Sequence, residues 1–167
     1  MAERESRWPI RTMAINTTLF VLTILLSIAI LAQKSIEGLI IFLVCLFFII
    51  IPFRWIVCRN CKYYGLICPS FGFSLVAKIF PPKKPKERVF QSTAVVTDIF
   101  LIGFTFLIPV IIWIASFLQI DSVNYTLFDH VVMIGYVIFA LVMALVHNRT
   151  ACSKCDITDC WLCGTRK

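Results

Sequence analysis

Cysteine is the residue type with the most chemical potential in this sequence. There are eight, and Cys58, Cys61, Cys68, Cys152, Cys155, Cys160 and Cys163 fall into two tight groups. The first is Cys58-x-x-Cys61 followed by Cys68-Pro69, and the second is Cys152-x-x-Cys155-x4-Cys160-x-x-Cys163. A Cys-x-x-Cys turn lets two thiolates converge on one ion, and two such turns complete a tetrahedral shell. The C-terminal group satisfies that count by itself, although the spacing between its inner cysteines is cramped for a zinc knuckle. The middle group supplies three thiols and needs a fourth ligand. His147, an exogenous thiolate, a water or a cysteine of the other group would serve, so one shared site is as admissible as two.

An iron–sulfur cluster is larger than a single ion and can be reached by a tighter run of chain. Cys155-x4-Cys160-x-x-Cys163 has the order of plant-type ferredoxin ligands, and Cys68-Pro69 resembles the ending of bacterial ferredoxin motifs. The two groups therefore predict a metal centre, either an iron–sulfur cluster or zinc. A thiol–disulfide pair at Cys58 and Cys61 is the alternative that needs no metal. No glycine-rich phosphate loop, Ser/His/Asp arrangement or pair of carboxylates is present, so nothing designates a catalytic residue.

The elements that must position these thiols are apolar. Of 167 residues, 60% are hydrophobic and 15% charged, against roughly a quarter charged in an average soluble domain. The sequence predicts one all-α membrane domain over 1–167, with spans at about 14–32, 39–57, 94–120 and 127–146. They form two hairpins of a four-helix bundle. The first span is expected to be retained, since no small-residue cleavage site follows it. Pro52, Arg54 and Trp55 read as a breaker with interfacial anchors, Pro109 as a kink, and Ser92 or Thr93 as an N-cap.

Between the hairpins lies a cysteine loop, 58–92, and after the last span a cysteine tail, 147–167. Within the loop, Phe71 to Phe80 reads as interfacial, and Pro81-Pro82-Lys83-Lys84-Pro85-Lys86 as an extended linker against anionic lipid. Every Lys and Arg except Lys34 belongs to the segment before the first span, to the end of the second span and the middle loop after it, or to the tail. The positive-inside rule then places both termini and both cysteine groups in the cytoplasm, in a protein of the cell's inner membrane. Cytoplasmic thiols are kept reduced, which weighs against structural disulfides.

Other polar residues carry blander expectations. Cys45 reads as a small core residue, His147 as a helix-end histidine, and Asp98 as a carboxylate favoured near a helix N-terminus. Asp129 and His130 read as solvated at the outer interface. Trp55, Tyr63, Tyr64, Phe71, Phe73 and Trp161 read as an interfacial belt. The net charge of +7 is explained by lipid, and nucleic acid is not expected as a partner.

The layout resembles the small four-helix, cysteine-motif membrane subunits of prokaryotic electron-transfer complexes, the NapH-like quinol-oxidising proteins among them. Those proteins carry Cys-x-x-x-Cys-Pro repeats, from which Cys58-x-x-Cys61 and Cys68-Pro69 differ, so no catalytic residue carries over. The resemblance implies a setting: an accessory or electron-relaying subunit, not an enzyme by itself, with other membrane subunits and a soluble electron carrier as partners. A zinc-stabilised scaffold or assembly protein is the alternative.

Overall fold

A computed structural model describes residues 9–59, 92–118 and 125–150. All the regular structure among them is helical: α1 (Ile10–Lys34), α2 (Ile36–Phe48), a π-helical turn (Ile49–Phe53), α3 (Arg54–Arg59), α4 (Ser92–Phe117) and α5 (Leu127–Thr150). With α2 and α3 run together as one rod to Cys58, four helices are long and apolar enough to cross a membrane. The loop from Asn60 to Gln91 and the tail from Ala151 lie outside the described residues.

A single residue separates the first two helices. Ser35 is extended, with φ −156° and ψ 105°; its N–H donates to the Leu31 carbonyl and its hydroxyl accepts from Gly38 N–H at 3.1 Å. It thus closes α1 and caps α2 at once, satisfying donors that a helix end leaves open. Pro52 does not break the second rod. Proline removes the N–H that would serve the carbonyl four residues back, and a π turn shifts the pairing by one residue so that the next donor can reach it. The chain stays helical to Arg59. α4 likewise continues through Pro109, and it already includes both Ser92 and Thr93, the two residues expected as its cap.

Small polar side chains lie inside beside an apolar core that includes Phe20, Leu31 and Phe42, and large apolar side chains also cover the outside. Asn16, Thr23, Ser27 and Thr105 are fully buried, whereas Leu25, Phe47, Phe100, Ile111, Ile138 and Leu145 are about half exposed or more. An apolar exterior on every helix would be a heavy liability in water, and it suits hydrocarbon. Lipid tails are as apolar as leucine, so they give the helices no hydrophobic reason to associate. Close packing and interhelical hydrogen bonds take over.

Both are present. On α1 the residues at 16, 20, 23, 27, 30 and 34 face inward at alternating steps of four and three, and on α5 those at 129, 133, 136, 140, 143, 147 and 150 do the same. This spacing is that of helix pairs crossing at a shallow left-handed angle. Asn16 Nδ2 donates to Thr150 Oγ1 at 3.1 Å; Thr23 Oγ1 shares its proton between the Leu19 carbonyl at 2.7 Å and the Met143 sulfur at 3.6 Å, and Ser27 Oγ between the Thr23 carbonyl at 2.9 Å and Tyr136 Oη at 3.1 Å. Lys34 pairs with Asp129. The partners' numbers fall on α5 as they rise on α1, so the two helices are antiparallel.

The Tyr136 hydroxyl donates onward to the Phe106 carbonyl of α4 at 2.9 Å. Phe20 of α1 and Phe42 of α2 both meet the Phe106 ring edge-on, at 5.7 and 6.4 Å. All four rods therefore converge at Phe106. Gly38 of α2 faces Ile112 of α4, with Leu31 and Ser35 close by, and a Cβ there would overlap the end of the Ile112 side chain.

Two consequences are measurable by unfolding in mixed micelles. Gly38→Val is expected to cost about 1–3 kcal/mol through overpacking, and Gly38→Ala less because the tip of Ile112 can shift. A double-mutant cycle of Ser27→Ala and Tyr136→Phe should return a coupling of about 0.5–1.5 kcal/mol; additive effects would show that the hydroxyl pair does not tie α1 to α5.

Candidate functional site

Helix direction decides where the cysteine-bearing stretches emerge. α1 and α5 are antiparallel, as their bonded pairs show. Gly38 near the start of α2 lies against Ile112 near the end of α4, and Trp113 near the end of α4 bonds His130 near the start of α5. Each rod thus reverses the one before it. Cys58 at the end of the second rod, the start of α4 and Thr150 at the end of α5 come to the same end of the bundle, with α3 packed on α4 and Asn16 of α1 bonded to Thr150.

Of the expected ligands, Cys58 alone is among the described residues; it is half-buried in the last turn of α3. Cys61, Cys68, Cys152, Cys155, Cys160 and Cys163 lie outside them. Cys45 is half-buried and packs against the core, as its apolar surroundings predict. Among the described residues no three His, Cys, Asp or Glu side chains come together as a metal-binding group.

The cysteine end is nonetheless polar. Asp98 is 5% exposed one and a half turns into α4, and His147 is half-buried in the last turn of α5. The carbonyl oxygens of Asn16 and Asn148 and the Thr17 hydroxyl are shielded, with no hydrogen-bond partner among the described residues. Oxygen and imidazole groups of this kind suit a region where a polar loop and tail meet the bundle.

The opposite end holds a cluster that the sequence reading did not anticipate. Asp129 and His130, expected to be solvated, are both half-buried and engaged. Thr126 caps α5: its N–H and hydroxyl both reach Asp129 Oδ2, at 2.7 and 2.8 Å, while the Asp129 N–H donates back to Thr126 Oγ1 at 3.3 Å. This reciprocal pattern is a capping box, with aspartate in the place of the usual glutamate. Lys34 Nζ lies 2.6 Å from the same Oδ2 and 4.9 Å from the centre of the Tyr125 ring. Both charges also suit their helix ends, a cation in the last turn of α1 and an anion in the first turn of α5.

Tyr125 stacks on the His130 imidazole with centroids 6.0 Å apart, and Trp113 Nε1 donates to His130 Nδ1 at 2.9 Å. Between α1 and α5, beside the ion pair, is a cleft of about 100 Å³ lined by Ile30, Lys34, Tyr125, Phe128 and Met133 among others. The signal in the sequence was Thr126-Leu127-Phe128-Asp129, a capping-box spacing at the start of an apolar run.

No protein family, curated protein or solved structure matches the chain. What the described residues define is a class: they are all-helical, with four helices long and apolar enough to cross a membrane, compatible with an integral membrane protein that has lipid as its surroundings.

Removing the cap isolates its contribution. Thr126→Ala is expected to destabilise the folded protein by about 1 kcal/mol in micelle unfolding, and Thr126→Ser to restore most of that loss.

Proposed function

We propose that this protein is an integral membrane subunit that binds metal through cytoplasmic cysteines and serves a redox complex as an accessory or electron-relaying component. In this reading the four rods cross the cell's inner membrane with both termini in the cytoplasm. Cys58, Cys61 and Cys68 in the loop and Cys152, Cys155, Cys160 and Cys163 in the tail supply the thiolates. The observation that carries it is the common exit: Cys58 and Thr150, two residues before Cys152, end their helices on one side of the bundle.

An iron–sulfur cluster bound there would supply one-electron chemistry; zinc would supply only a cross-link. The chain's own part is to bring thiolates from both hairpins to one face and to hold that face at the bilayer. The lysines of Pro81–Lys86 contribute by attraction to anionic lipid, and the apolar exteriors of the rods by solvation in hydrocarbon. The crowded spacing in the tail favours a cluster over a single ion.

Protein purified in detergent without oxygen is expected to contain iron and acid-labile sulfide in similar amounts. It should show broad visible absorption that dithionite bleaches, and Cys155→Ser should remove most of both signals. Zinc at about one per chain without visible absorption would move the assignment to a zinc-stabilised scaffold. Absence of both metals, with thiols that alkylate according to redox state, would overturn metal binding in favour of thiol exchange.

A further inference from the structure

The end of the bundle away from the cysteines contains one hydrogen bond whose existence depends on a proton. Indole Nε1–H can only donate, and it donates to His130 Nδ1 at 2.9 Å. That geometry requires Nδ1 to carry a lone pair, so the imidazole in this tie is neutral, with its proton on Nε2. An imidazolium has N–H on both nitrogens. Protonating His130 would set two N–H groups against each other at bonding distance, and the tie would have to open.

We propose that the Trp113–His130 bond is a pH-sensitive latch between the end of α4 and the start of α5, closed when the histidine is neutral and released as the pH falls. Histidine is the side chain type whose charge ordinarily changes between about pH 5 and 8. A proton on Nδ1 and this hydrogen bond are mutually exclusive, so acid opens the tie.

The surroundings make the change matter. Tyr125 stacks on the imidazole, and Lys34 of α1 holds its ammonium 4.9 Å from the centre of that tyrosine ring. Asp129, adjacent on α5, directs one carboxylate oxygen to Lys34 and to the Thr126 cap. Among the described residues, Glu37, exposed in the first turn of α2, is the other acidic group near this end. A new positive charge on His130 would thus arise beside a carboxylate already shared with Lys34 and Thr126. Trp113 and Ser116 belong to the last turns of α4, so the latch controls how that helix end is held against α5. Whether this end faces the outside rests on the proposed orientation; the latch does not.

The test uses the full chain in detergent micelles with Trp8, Trp55 and Trp161 replaced by Phe, leaving Trp113 as the sole indole. Lowering the pH from 8 to 5 should produce a single reversible step in Trp113 emission, because the indole loses its acceptor and gains a neighbouring imidazolium. His130→Phe keeps a ring but no acceptor or titrating group, and should give emission that does not vary with pH. His130→Gln offers a carbonyl acceptor and should keep emission near the high-pH value throughout. Helix content by circular dichroism, unchanged across the titration, separates the latch from unfolding. A step of equal size in His130→Phe, or no step with Trp113 alone, would overturn the proposal. Either result would leave the metal assignment untouched, just as a metal-free preparation would leave the latch untouched.

Discussion

The seam between α1 and α5 is the contact on which the rest of the bundle depends. In lipid, leucine against leucine is worth little more than leucine against an acyl chain, so an association built only from such contacts would be indifferent to register. A buried hydroxyl or carboxamide is different, because outside its partner it has no water to fall back on. Asn16, Thr23 and Ser27 meet Thr150, Met143 and Tyr136 in strict antiparallel order. A slip of one turn would break these interhelical contacts and leave Asn16, Thr23, Ser27 and Thr150 only the carbonyls of their own helices, four residues back. The seam thus fixes register as well as adhesion, and Tyr136 carries the constraint into α4 by donating to the Phe106 carbonyl.

That register has a topological consequence. α1 and α5 are the first and last rods, so holding them antiparallel at matched depth closes the order of the four. The one-residue link at Ser35 leaves α2 no latitude in where it begins. The π turn at Pro52 spares the second rod a break, and so lets it end at the same level as the start of α1 and the end of α5. An interrupted second rod would drop Cys58 part-way along the bundle. With the rod complete, Cys58 stands at its terminus, where the chain leaves toward Cys61.

Four apolar segments with polar connections were plain in the sequence because length and hydropathy suffice to recognise them. The seam was not, and the reason is physical. When a helix is apolar all round, a search for an apolar stripe finds none; in a membrane bundle the informative stripe is the polar one. Asn16, Thr23 and Ser27 at steps of seven and four marked the inward face of α1, and Tyr136 with Thr150 marked that of α5. Asp129 and His130 were misjudged for a related reason. Both sit beside Asn124-Tyr125-Thr126, where polar composition suggests a solvated loop, but Thr126 starts a helix there and turns both side chains toward α1 and α4. Of the seven cysteines in the two groups, the described residues include Cys58 alone, so the arrangement of the others stays a reading of spacing.

The two ends of the bundle are unlike in a way that bears on how the chain is held. Among the described residues Lys34 is the single Lys or Arg at the end away from Cys58, and it is matched at 2.6 Å by Asp129, so that pair adds no net charge there. At the cysteine end, Arg11 and Arg149 are exposed, and the remaining basic residues lie in the adjoining segments. A surplus of cations near one face favours contact with anionic headgroups there and disfavours transfer of that face across the bilayer. The far end is held instead by short-range ties: a capping box, one ion pair and the Trp113–His130 bond. Short-range ties depend on the exact placement of a few atoms, whereas the effect of clustered surface cations is long-range and is weakened by salt. The same four rods therefore present one end flanked by most of the chain's cations, and another held by individual hydrogen bonds and one ion pair.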